Sequence, residues 1–86
     1  MVERIPPEGG GVIIVHTASM RDYVHTMIRQ IHGEQTMRKT NIVVFVHEAD
    51  IHRIQGIRPD RIFVDHAFWE YASHRLRSLV SMYVRP

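Results

Sequence analysis

At 86 residues, 44% hydrophobic and 23% charged, the chain has the composition of one globular domain, at a size where a single core is thin and oligomers are common. The formal charge of +2 is too modest to require a nucleic-acid partner, and the absence of cysteine excludes disulfides, thiolate metal sites and thiol nucleophiles, leaving His, Asp and Glu as ligands. No apolar run approaches the ~20 residues that span a bilayer and no N-terminal stretch has the pattern of a secretory signal, so no membrane contact is expected and the expected compartment is the cytoplasm.

The opening MVERIPPEGGG carries two prolines and three consecutive glycines, which neither helix nor central strand accommodates cheaply; residues 1–11 are expected to be a flexible leader and 12–86 a single α/β domain. VIIVH at 12–16 is a continuous apolar run, the pattern of a strand buried on both faces. Ser19 offers an N-cap with Asp22 three residues on, and Met20, Tyr23, Val24, Met27, Ile28 and Ile31 then recur at helical spacing up to Gly33, a helix-ending residue. GEQTMRKTN reads as a polar connection, and a second buried strand is expected over Ile42 to Val46. Asp50 is expected to cap a short helical turn containing Ile51 and Ile54 and ending at Gly56. A turn through Pro59 leads to the strand RIFVD, and a long helix is expected from Ala67 to about Val84.

Three apolar strands separated by helical segments imply a small three-stranded parallel sheet flanked by helices, because parallel strands need crossovers and the crossovers cover the faces. Right-handed crossovers favour the strand order 2-1-3. Ligands in such sheets gather beyond the carboxyl ends of the strands, where this sequence places His16, His47 and His66, with Thr17, Glu48 and Asp65 beside them. A His-rich metal or acid–base site built on His16, His47 and His66 is one reading; His and Asp as turn formers at strand ends is the plainer one.

The segments VIIVHTASMRDYVHTMIRQIHG and VVFVHEADIHRIQGIRPDRIFVDHA resemble, over residues 12–70, the motif Ia to Walker B region of superfamily-two helicases and phage terminase ATPases. The resemblance implies a P-loop-ATPase-like, Rossmann-like fold and makes a bacteriophage source plausible. It matches Asp65 to the magnesium-binding aspartate and Thr17 to the loop threonine that touches nucleic-acid backbone. The departures are chemical. No G-K-[ST] follows a strand, so the backbone amides and ammonium that grip a triphosphate are missing, and the glutamate that positions the attacking water is replaced by His66. No nucleotide, cofactor or ATP hydrolysis is therefore expected. Motifs of other enzyme classes, G-x-S-x-G, H-E-x-x-H and G-x-G-x-x-G, do not occur either.

What remains is binding. The expected function is a non-catalytic protein-interaction module, a phage accessory or host-modulating protein acting on a phage or host protein. The alternative is nucleic-acid binding through Arg21, Arg29, Arg75 and Arg77 on the two long helices, although acidic residues interrupt these groups and no aromatic residues interleave with them. The first helix confines its apolar residues to roughly 140° of arc, whereas the last, read as continuous, spreads them over roughly 180°. One sheet face does not cover that much, so a flank of either Tyr71 with Met82 or Trp69 with Val80 is expected to form a homodimer or partner interface.

Overall fold

The structure, a computed structural model, describes residues 11–84; the leader expected at the N-terminus lies outside the described residues except for Gly11, which is buried and accepts a hydrogen bond from Asn41 N at 3.0 Å. In chain order the elements are β1 (Val12–Val15), α1 (Ala18–His32), α2 (Glu34–Lys39), β2 (Asn41–Val44), 3-10 turns at Glu48–Arg53 and Pro59–Arg61, β3 (Ile62–Val64), α3 (His66–Tyr71) and α4 (His74–Ser81). The strands form a parallel sheet in the order β2-β1-β3, as the crossover rule leads one to expect.

β1 takes the centre because it is the strand whose residues are all both apolar and buried, whereas β2 opens on the exposed Asn41 and β3 is only partly buried over three residues. Val12 lies opposite Asn41 on one side and Ile62 on the other. Alternate side chains enter different layers, as the pleat requires. Ile13 and Val15 pack with Val24 and Ile28 of α1, while Val12 and Ile14 pack with Phe45, Ile51, Ile54, Phe68, Ala72, Leu76 and Val80. The β1 to β2 connection thus runs over one face through α1 and α2, and the β2 to β3 connection returns across the other. The two crossovers travel in opposite directions on opposite faces and so share one hand.

Several local expectations are corrected. α1 starts two residues early: Thr17 rather than Ser19 is its N-cap, its Oγ1 accepting from Met20 N at 3.1 Å. Gly33 ends α1 as expected, at φ 95°, a left-handed value that any other residue would adopt under strain, and its N–H reaches the carbonyls of Ile28 and Arg29. The supposed polar connection contains α2, whose Thr36 is buried and whose exposed face carries the Glu34–Arg38 pair at 3.3 Å. β2 ends at Val44, although Phe45 N still donates to Val15 O at 2.8 Å. Asp50 stands inside the 3-10 turn instead of capping it from outside.

The largest correction concerns the last helix, which is two. Ala72 and Ser73 both take extended backbone (ψ 157° and 156°), and Ser73 Oγ caps α4 by accepting from Leu76 N at 3.2 Å. The break lets Phe68, Ala72, Leu76 and Val80 all reach the core. No continuous 180° apolar face is presented. Val80 is fully buried and Trp69 half-buried against the core, so that flank is covered by the chain itself, whereas Tyr71 and Met82 stand 73% and 79% exposed.

Candidate functional site at the strand ends

From the carboxyl end of β1 the chain turns to α1 on one face of the sheet, and from the end of β3 it turns to α3 on the other. Where adjacent strands send their connections to opposite faces a crevice opens between them, which is the usual ligand position in open α/β sheets. Here it is a hollow of about 250 Å³ lined by His16, Thr17, Met20, Ala67 and Tyr71. A second hollow of about 300 Å³, lined by Thr17, Ser19, Met20 and Tyr23, adjoins it through the shared Thr17 and Met20. Tyr23 and Tyr71 flank the pair at 61% and 73% exposure. Among the described residues no carboxylate, lysine or arginine lines either hollow.

His16 is the fixed polar group of this surface. Its Nδ1 lies 3.1 Å from the carbonyl oxygen of Phe45, and its ring meets Phe68 edge-on at 6.1 Å. A carbonyl only accepts, so Nδ1 carries the proton and donates; in the neutral ring Nε2 is then left with the lone pair. Asp65 is placed by its own N–H, which donates to Ile14 O at 2.9 Å and extends the β1–β3 ladder. Its Oδ2 is buried without a hydrogen-bond partner.

The remaining strand-end residues do not converge with these. His47 is exposed beyond β2, displaced from the strand end by Phe45 and Val46. Glu48 pairs with Arg75 at 3.3 Å, and His66, exposed on α3, pairs with Glu70 at 3.0 Å. Among the described residues no group of three or more His, Asp or Glu gathers to hold a metal, so the three strand-end histidines do not form the ligand set that their positions in sequence allowed.

The four arginines considered for nucleic acid are likewise divided. Arg21, paired with Asp22 at 3.6 Å, and Arg29 belong to α1; Arg75 and Arg77 belong to α4 across the sheet. They do not make one basic surface. Met20, Tyr23 and Ala67 were missed as site residues because helical spacing assigned the first two to the core. Their position supplied the overlooked signal: all three lie in the opening turns of helices that directly follow strands. Comparison of the chain with family profiles, with curated proteins and with solved structures finds no match.

Proposed function

We propose that the protein is a non-catalytic protein-interaction module whose partner docks on the strand-end surface, placing an apolar anchor between Tyr71 and Tyr23 over Met20. The observation that supports this reading is the pair of adjoining hollows flanked by two exposed tyrosines, with no charge among the described residues that line them. Tyrosine and methionine are enriched, and charged groups depleted, at the centre of protein interfaces, where a few large side chains in desolvated pockets contribute most of the affinity. Hydrogen-bonding groups at the rim, the Thr17 and Tyr hydroxyls and His16 Nε2, would fix orientation. The likeness to phage ATPase segments makes a phage or host protein the first partner to seek.

A photo-crosslinking residue placed at Tyr71 should join one defined partner that the same residue at Arg38, on α2, does not. With that partner purified, Tyr71→Ala and Met20→Ala should each weaken binding about tenfold or more, while Arg38→Ala leaves it unchanged. If the captured protein binds both alanine variants as tightly as the parent, the strand-end surface is not the interface. Light scattering on the isolated chain decides whether the partner is a second copy: a dimer that Tyr71→Lys dissociates assigns this surface to self-association.

A further inference from the structure

We propose a second binding site, on α4, for a nucleotide unit: a phosphate held by the helix and a base stacked on Trp69. It is independent of the strand-end surface. His74, Arg77, Ser78 and Ser81 recur at i, i+3, i+4 and i+7, so they form one polar stripe along α4. With Trp69 of α3 they line a hollow of about 360 Å³ to which no described residue brings a carboxylate.

Arg77 distinguishes this stripe from an ordinary solvated face. Arg21, Arg38, Arg53, Arg58 and Arg75 each have a carboxylate partner, whereas Arg77, like the exposed Arg29, pairs with none among the described residues and, unlike Arg29, is half-buried. Its Nη1 donates to Trp69 O at 3.1 Å, which orients the guanidinium, and its Nε–H is buried with no acceptor. A half-buried, oriented guanidinium lacking a counter-charge favours an anion, and its planar fork suits phosphate. Ser78 and His74 supply further polar groups in reach of the same hollow. Glu48, which lines a neighbouring hollow, is taken by Arg75 at 3.3 Å, and Glu70, next to Trp69 in the chain, is taken by His66 at 3.0 Å.

The aromatic ring extends the assignment from an anion to a nucleotide. Trp69 meets Phe68 edge-on at 5.5 Å, is half-buried, and lines the same hollow as Arg77. Aromatic ring beside cation is the pairing that binds base and phosphate together without reading sequence. This site owes nothing to a phosphate-binding loop, whose absence removes the grip on a triphosphate at the strand ends and not a monophosphate contact on α4.

Trp69 is the single tryptophan of the chain, so its fluorescence reports the site directly. AMP, adenosine and a twelve-nucleotide oligothymidylate are titrated against the full chain at low and moderate salt. The expected result is saturable quenching by AMP or the oligonucleotide that weakens with salt, with adenosine binding about tenfold more weakly or worse. The arms separate the sources: binding much tighter to the oligonucleotide assigns a single strand, and equal or tighter binding of AMP a free nucleotide. Ser78→Glu, a change on the exposed side of α4, should reduce affinity about tenfold or more with an unaltered circular dichroism spectrum, and Arg77→Gln should do the same. No saturable quenching by AMP or the oligonucleotide at low salt, adenosine binding as well as AMP, or affinity unmoved by Ser78→Glu would overturn the proposal.

Discussion

Asp50 shows how much one side chain organises a loop. Its Oδ2 accepts the backbone N–H groups of His47 and Val46, each at 2.9 Å, and Arg53 lies 3.9 Å from its other oxygen. The His47 amide foremost, then that of Val46, holds the carboxyl below the usual carboxylate range. Because the folded-state value lies below the unfolded one, this stabilisation is complete above the ordinary carboxylate range and is lost as the pH falls through the lowered folded value. Asp50→Ala should therefore cost about 1–2 kcal/mol at neutral pH, with the gap closing as urea titrations are repeated at successively lower pH. A gap of constant size would assign the effect to packing. Sequence pattern put Asp50 at the short turn and His16 at a strand end, since both follow from local chemistry, but not Asp50's place inside the turn behind His47. It did not reveal that His16 is bonded to Phe45 O or that Tyr23 is exposed, because those facts depend on which residues the fold brings near.

At the level of elements, what was legible depended on how strongly a segment is patterned. VIIV, IVV and IFV are apolar enough to be strands in any context, and α1 has fifteen residues with its buried positions at helical spacing. α2 is a six-residue helix with one buried side chain, too short for periodicity to register. The α3–α4 corner contains neither glycine nor proline, so its local signal is no more than a serine able to cap a helix; tertiary packing of Phe68, Ala72, Leu76 and Val80 sets the break. Ser73 stabilises the corner by capping α4. Ser73→Ala should cost about 1 kcal/mol, which in a domain of this size lowers Tm by about 4–8 °C, whereas a continuous helix would gain from alanine. A raised Tm in the variant would contradict the break.

For the molecule as a whole, Phe68 is the side chain that joins the parts. Fully buried, it meets His16 at 6.1 Å, Phe45 at 6.5 Å and Trp69 at 5.5 Å, all edge-on, and so links the strand-end surface, the second crossover and the α4 hollow. Phe68→Ala should cost about 3–5 kcal/mol, a large share of the 5–15 kcal/mol typical of a whole domain. Denaturant unfolding should show that loss, and Phe68→Leu should recover most of it, since volume rather than aromaticity fills the centre. The two proposed surfaces are then separable by substitution at their rims and inseparable at this ring.

The central place of β1 also fixes an order of events during synthesis. β1 leaves the ribosome before either neighbour, yet Ile13 meets its partners only when Ile42 and Phe63 have been made. Until β3 is made, one edge of these four consecutive apolar residues stays unpaired, and the first α/β crossover alone cannot bury the face that Phe68, Leu76 and Val80 later cover. Nascent chains halted before β3 are thus the ones most prone to pair with one another, and rapid passage of the ribosome through the codons for β3, α3 and α4 guards the yield of folded protein.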